Sequence, residues 1–394
     1  VKAGYITDEE YDVYSQTPIE LRFHRTDHKE GAAPYFREYL RHYITADKPS
    51  VDDYPKWNYR QYVADSIAWE TDPLFGWCKK NKKRNGSHYN IYEDGLKIYT
   101  TVDSRMQRFA EESVLAHVAH YLQPAFNQEN RKKANAPFTS DLTPQQVKDI
   151  MERAIQQSER YNVMRSAGYS REEINRSFRT ATPMTIFTYN GEIDTVMTPL
   201  DSIRYYKSFL RAGFMSMDPA TGYVKAYVGG LNYHHFMYDM VTVGRRQVGS
   251  TIKPYLYSLA MENGFSPCDL VPNVQTTYYE AGQPWTPRNA SRKRYGEMVS
   301  LKWGLAQSNN WISAYLMSRL NPRQFVELLH NYGINNPDIH PSIALCLGPC
   351  EVSVAEMVSA YSAFVNHGIR TSPIFVTKIE DNEGNVLAEF QPRM

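Results

Sequence analysis

The sequence has no long apolar run and almost no net charge. No stretch of its 394 residues approaches the ~20 apolar residues that a membrane-spanning helix needs. Lys and Arg (44) nearly balance Asp and Glu (43), so at +1 no overall field attracts nucleic acid. No secretory signal is visible, and the first residue is Val1 rather than Met. We expect a piece of a longer protein, without a membrane span of its own.

Cysteine is also scarce, which excludes a disulfide scaffold. The four cysteines, Cys78, Cys268, Cys346 and Cys350, are too few and too scattered for such a framework. A bridge between Cys346 and Cys350 is possible in an oxidising compartment, whereas a zinc half-site there would need two more ligands. Buried free thiols are therefore the prediction.

The adjacent histidines His234 and His235 raise the question of a metal site. Neighbouring residues of an extended chain point to opposite sides, and no carboxylate cluster accompanies the pair in the sequence. We therefore predict no metal and no cofactor.

What the sequence does contain is a serine and a lysine at helical spacing. Ser250 and Lys253 are three residues apart, so both lie on one face if a helix begins near Ser250. This spacing lets an amine take the proton of a hydroxyl and so activate a nucleophile. Gly249 leaves room for a substrate carbonyl, and Pro254 fits the first turn of a helix.

A second motif follows at a distance that strengthens this interpretation. Ser308-Asn309-Asn310 is the only S-x-N of the sequence, and it comes after a run of helical character at 301–307. The two motifs have the order and spacing used by active-site serine D,D-peptidases and serine β-lactamases.

Together with its flanks, the chain resembles the transpeptidase module of class A high-molecular-weight penicillin-binding proteins. Beyond the two motifs, the resemblance rests on the segments 94–103, 217–230, 285–289 and 360–368. It implies an α+β fold of the penicillin-binding-protein/serine β-lactamase type, an antiparallel sheet with helices packed on it. It also implies a linker region at 1–95 and a transpeptidase domain at 96–394, with a helical pedestal at about 104–205 and a catalytic core at about 206–394.

The resemblance further implies an acyl-transfer cycle on peptidoglycan. Ser250 would be the nucleophile, Lys253 its base and Ser308 the proton relay, while Asn310 would hold the lysine and the substrate backbone. Trp285 and Asn289 would line the cleft with Gly249, although packing is the alternative for the first two. Stem peptides, β-lactam antibiotics and the cell-wall synthesis machinery are the implied partners, on the extracytoplasmic side of the cytoplasmic membrane.

The sequence departs from the family at its third motif. No Lys-Thr-Gly or Lys-Ser-Gly follows Ser308, so the expected sheet is incomplete at its C-terminal side and the chain alone is expected to be weak or inactive. The family's glycosyltransferase module and membrane anchor are not in this sequence either. A non-catalytic scaffold or β-lactam sensor therefore stays open. A serine β-lactamase also stays open, although no E-x-x-L-N element supplies its hydrolytic base.

Local patterns predict several elements. Residues 1–95 should be irregular apart from one helix capped by Thr7 and Glu10, and 126–182 should be helical with caps at Thr143 and Ser170. Strands are predicted at 97–102, 209–217 and 223–228, a helix at 354–365, and a hairpin at 374–379 and 385–390.

Overall fold

The computed structural model describes residues 5–16, 31–280 and 282–392, so 1–4 and 17–30 of the predicted linker lie outside the described residues. Helix α1 (Asp8–Gln16) begins as predicted, because the N–H of Thr7 donates to Glu10 and the N–H of Glu10 donates to the Thr7 hydroxyl. The prediction that the rest of this region is irregular is wrong. Its described part holds three further α-helices, α2 (Pro34–Thr45), α3 (Tyr59–Thr71) and α4 (Trp77–Lys80).

Helix α2 packs its apolar face into the body of the molecule. The buried residues of this face are Tyr35, Phe36, Leu40 and Ile44. The ring of Tyr35 lies against Gly229 and Gly230, where an added Cβ would come within 2.6 and 2.3 Å of Tyr35 atoms. Only glycine allows so close an approach. The core role of α2 was not predicted, because charged residues are interleaved with its apolar ones.

The middle of the chain is a helical region with one hairpin. Its elements are β1 (Lys97–Thr100), α5 (Ser104–His117), α6 (Gln123–Asn130), α7 (Pro144–Gln156), α8 (Glu159–Ser166), α9 (Arg171–Phe178), β2 (Thr182–Thr188), β3 (Gly191–Met197) and α10 (Pro199–Lys207). Capping boxes at Thr143 and Ser170 confirm the two predicted helix starts. A pedestal made of helices alone is wrong, since β2 and β3 pair over seven residues across a two-residue turn at Tyr189 and Asn190.

The remaining elements build the region around the two motifs. They are β4 (Phe214–Met217), β5 (Val224–Val228), β6 (Arg245–Gln247), α11 (Lys253–Glu262), β7 (Leu270–Pro272), β8 (Tyr278–Glu280), β9 (Gln283–Trp285), β10 (Met298–Ser300), α12 (Leu301–Ala306), α13 (Asn310–Arg319), α14 (Pro322–Asn331), β11 (Glu351–Ser353), α15 (Val354–Val365), β12 (Val376–Glu380) and β13 (Val386–Glu389). The predicted hairpins β4–β5 and β12–β13 and the predicted helix α15 are confirmed.

The strands form small antiparallel sheets. Strand β1 of the middle region pairs with β12, near the end of the chain, in a three-stranded sheet of order β1-β12-β13. Strand β6, just before the S-x-x-K motif, pairs with β11. No helix in the described ranges is both long and apolar enough to cross a membrane.

Helix α11 runs through the largest hydrophobic core. Ile252, Leu256 and Ala260 are fully buried there, between α13, α14 and α15. Burying one such aliphatic side chain stabilises the fold by about 1.5–3 kcal/mol. The helix that carries the lysine of the first motif is therefore anchored in the core.

Candidate active site

Ser250 lies in a three-ten turn, Gly249–Ile252, that leads into α11. The α-helix itself begins at Lys253, slightly later than predicted, and Pro254 occupies its first turn as expected. The side chain of Ser250 is exposed whereas that of Lys253 is buried. A hydroxyl thus faces solvent at the mouth of a buried helix.

The amine of Lys253 is enclosed and fully hydrogen-bonded. The residue is 1% exposed. Its Nζ donates to the main-chain oxygen of Ser308 at 2.6 Å, to Ser308 Oγ at 3.1 Å and to Asn310 Oδ1 at 2.7 Å. These bonds use all three protons of an ammonium group. Two motifs far apart in the sequence therefore meet at one nitrogen.

Burial changes the acid–base chemistry of this amine. The pKa of Lys253 falls from its ordinary value of 10.5 to about 8, because the ammonium form loses its hydration. A charge on Cys346 would oppose this shift, but burial raises the pKa of that thiol to about 12, so it stays protonated at neutral pH. A lysine with a pKa near 8 can lose and regain a proton during a reaction.

Ser308 occupies a strained turn between α12 and α13. Its φ of 50° lies in the left-handed region, which costs a residue with a side chain on the order of 1–3 kcal/mol. Two main-chain bonds hold the turn, from the N–H of Ser308 to Leu305 and from the N–H of Asn309 to Gly304. In this conformation both oxygens of Ser308 face Lys253.

The two asparagines of the second motif have separate tasks. The buried side chain of Asn309 caps α13 by accepting from the N–H groups of Trp311 and Ile312. Asn310 is the first residue of α13, and its amide accepts from Lys253 through Oδ1 and donates through Nδ2 to the carbonyl of Arg288. Helix capping, the alternative to a catalytic-site role for Asn310, is thus the task of its neighbour.

The predicted cleft residues Asn289 and Trp285 fall in different places. Asn289 Oδ1 accepts the main-chain N–H of Asn310 at 3.0 Å, so it supports the cluster around Lys253. Trp285 pairs with Tyr278 across the β8–β9 hairpin and packs against the hydrophobic core. This packing against the core fits the packing alternative, and a role in substrate binding stays a prediction.

The loop that carries Ser250 is held by residues that the sequence did not point to. The N–H of Val248 donates to Cys350 at 3.1 Å, and the N–H of Gly249 donates to Gly348 at 3.0 Å. A Cβ on Gly348 would lie 2.2 Å from the Gly249 oxygen, so this position requires glycine. The Gly348-Pro349 pair was the only available signal. Gly249 itself has a φ of +56°, with open space where a Cβ would stand.

The structure thus brings Lys253, Ser308, Asn310 and Asn289 together. Ser250 Oγ is not hydrogen-bonded to this cluster, since among the described residues the amine of Lys253 donates to Ser308 and Asn310. With its three protons donated elsewhere, Lys253 can accept a proton from Ser250 only after losing one of its own. Its role as the base therefore stays a prediction.

Two predictions about thiols and histidines need correction. All four cysteines are free, but Cys268 is exposed rather than buried. His234 and His235 do not lie on an extended segment, because a bond from the N–H of Phe236 to the carbonyl of Asn232 closes a turn around them. The argument that their rings must point apart therefore does not hold.

Two known protein domains match parts of this chain. Residues 212–393 match the penicillin binding protein transpeptidase domain, and residues 133–210 match the penicillin-binding protein middle domain. Residues 212–393 are a penicillin-binding protein transpeptidase domain. The four motif residues, Ser250, Lys253, Ser308 and Asn310, all fall within this domain.

Two curated relatives are both penicillin-binding proteins 1A. Penicillin-binding protein 1A of Vibrio cholerae is 25% identical over 99% of this chain and 46% of its own length. Penicillin-binding protein 1A of Escherichia coli is 24% identical over 84% of this chain and 42% of its own length. The chain therefore spans less than half the length of these two relatives.

A solved structure shows the same fold. The crystal structure of penicillin-binding protein 1A from Haemophilus influenzae aligns with all of this chain and 54% of its own chain, with a TM-score of 0.59 at 21% identity. The predicted fold class, an α+β fold of the penicillin-binding-protein/serine β-lactamase type, is confirmed.

Proposed function

We propose that this chain is the D,D-transpeptidase module of a bifunctional cell-wall synthase and that it works through an acyl-enzyme on Ser250. One observation carries the proposal, the buried amine of Lys253 held by Ser308 and Asn310. Enclosing an ammonium group costs several kcal/mol, which apolar packing in its place would avoid. A perturbed amine one turn from an exposed hydroxyl is what nucleophile activation needs.

The reaction begins at the bond between the two terminal D-alanines of a stem peptide. Ser250 Oγ attacks the carbonyl carbon while its proton passes to a neutral Lys253. The C–N bond breaks, D-alanine leaves with a proton relayed through Ser308, and an ester on Ser250 remains. The amine of a neighbouring stem peptide then attacks this ester, which forms the cross-link and restores the serine hydroxyl.

Asn310 is placed to hold the substrate as well as the lysine. Its Nδ2 donates to the carbonyl of Arg288 at 2.7 Å. A carbonyl of the bound peptide is chemically equivalent to this acceptor and would replace it. The exchange needs no change at Oδ1, so Lys253 would keep its partner during binding.

The missing third motif limits what this chain does by itself. Losing one oxyanion donor typically costs about 10²–10³ in rate. Within the described residues β4 pairs only with β5, so its other edge can accept a further strand. We expect slow acylation by this chain and faster acylation when a Lys-Thr-Gly strand is supplied.

The domain organisation and the surroundings of the protein belong to the same proposal. Residues 1–95 would form the linker, about 104–205 the pedestal and about 206–394 the catalytic core. The module would act on the extracytoplasmic side of the cytoplasmic membrane, with stem peptides and β-lactams as ligands and the cell-wall machinery as partners.

A fluorescent penicillin followed by mass spectrometry of the labelled peptide tests the proposal. We expect slow, stable labelling that Ser250→Ala abolishes and that Ser318→Ala, an exposed serine on α13, leaves unchanged. Rapid release of the label would support a serine β-lactamase instead. Stable labelling without peptide transfer would support a sensor. No labelling even with a third-motif strand fused to the chain would support a scaffold.

A further inference from the structure

A second polar cluster lies between the middle hairpin and the loop after β5. It consists of Glu192 on β3 and the two histidines His234 and His235, whose ligand atoms all lie within 4.8 Å of one another. His235 Nε2 and Glu192 Oε1 are 2.7 Å apart. We propose that these three side chains bind one divalent transition-metal ion, zinc being the ion that suits them best.

The ring of His235 is already oriented as a metal ligand requires. Its main-chain N–H donates to Asn232 Oδ1, which fixes the turn, and its ring stacks on Tyr206 with centroids 5.8 Å apart. Its Nδ1 lies 3.1 Å from the Tyr206 hydroxyl, so Nδ1–H can donate there while Nε2 faces Glu192. Holding the second nitrogen in this way orients the ring so that Nε2 can serve as the ligand.

The donor set selects the class of ion. Two imidazoles and a carboxylate suit zinc and its neighbours, whereas magnesium and calcium prefer oxygen ligands alone. Zinc bonds of about 2.0–2.2 Å place tetrahedral ligand atoms roughly 3.3–3.6 Å apart. The separations here, from 2.7 Å up to at most 4.8 Å, bracket that value. His235 is largely buried, while Glu192 is 51% exposed and His234 is exposed, so the last two can adjust around the ion.

The position of the cluster indicates what the ion would do. Glu192 lies in the part of the chain that matches the middle domain, and both histidines lie in the part that matches the transpeptidase domain. One ion would therefore tie the β2–β3 hairpin to the catalytic region. It would strengthen the contact that the Glu192–His235 bond already makes, without taking part in acyl transfer.

Zinc titration of the chelator-treated protein by calorimetry, at pH 7.5, tests this site. A Cys268→Ser background removes the exposed thiol as a competing ligand. We expect one ion per chain, a thermal midpoint several degrees higher at saturation, and a cobalt adduct with the visible bands of a nitrogen- and oxygen-ligated tetrahedral site.

The variants Glu192→Gln and His234→Ala remove exposed ligands, so they leave the core intact. Each should weaken zinc binding about tenfold or more. His330→Ala, an exposed histidine on α14, is the matched control and should bind like the parent. Penicillin labelling should be the same in all of them. Absence of one-to-one binding in the parent, or equal affinity in both ligand variants and the control, would overturn the proposal.

Discussion

Two polar clusters each join distant parts of the chain, and they differ mainly in burial. Lys253 is 1% exposed, and its three acceptors come from the second motif. In the Glu192–His235 pair the histidine side chain is 11% exposed and the carboxylate partner 51%. The shortest bonds are alike, 2.6 Å in one and 2.7 Å in the other. Water competes only for the exposed pair, so similar distances carry different energies.

Removing the buried charge should have the largest effect. Lys253→Met keeps much of the side-chain volume but cannot move a proton, so we expect the rate of penicillin acylation to fall by about 10³-fold or more. Stopped-flow labelling measures this, and urea unfolding shows whether the fold is kept. Lys302→Met, an exposed lysine on α12, is the control and should acylate normally. Retention of half the parent rate in Lys253→Met would exclude the amine from the reaction.

The adjacent asparagines should separate catalysis from stability. Asn310→Ala removes an acceptor of Lys253 and a donor to Arg288, and we expect acylation to fall by about 10²-fold. Asn309→Ala removes the cap of α13 and should instead lower the free energy of unfolding by about 1–3 kcal/mol. Labelling rates and urea unfolding of both variants test the pair. Equal effects on the rate would contradict the division of tasks.

The pH dependence of acylation should report the burial of Lys253. Its pKa in the folded protein is about 8, so the neutral amine makes up about a tenth of the molecules at pH 7 and about nine-tenths at pH 9. The acylation rate should therefore rise about tenfold over this interval. In Asn310→Asp a carboxylate would face the amine, raise its pKa and move the profile to higher pH. A flat profile in the parent would argue against a titrating base.

The exposed cluster should give the smallest effect. Without metal, Glu192→Gln should lower the free energy of unfolding by less than about 1 kcal/mol, because water can replace the partner of His235. Urea unfolding in the presence of a chelator measures this. A loss above about 2 kcal/mol would mean that the two clusters are energetically alike, contrary to the comparison.

Residue spacing predicted the parts of the molecule that depend on local rules. The β4–β5 and β12–β13 hairpins, helix α15 and the capping boxes follow from alternation, helical periodicity and cap chemistry. The meeting of Lys253 with Ser308 and Asn310 was predictable from two motifs and a family resemblance. The cap of α13 was not, because the choice between Asn309 and Asn310 depends on where that helix begins.

Features that depend on close approach between distant segments could not be read from the sequence. Helix α2 docks because Gly229 and Gly230 leave room for the ring of Tyr35. Glu192 reaches His235 only because the middle region contains a hairpin, which its charged and helical neighbours concealed. In both cases the partner lies far away in the chain and offers no local pattern.

The contact between Gly348 and Gly249 bears on which substitutions can alter the candidate active site. The N–H of Gly249, next to the nucleophile, donates to Gly348, about a hundred residues later in the chain. No side chain separates the two main-chain segments. One extra methyl group at Gly348 would displace Ser250 while every polar group of the site kept its identity. The acylation rate proposed for Ser250 should therefore change through a position that an inspection of the signature motifs would pass over.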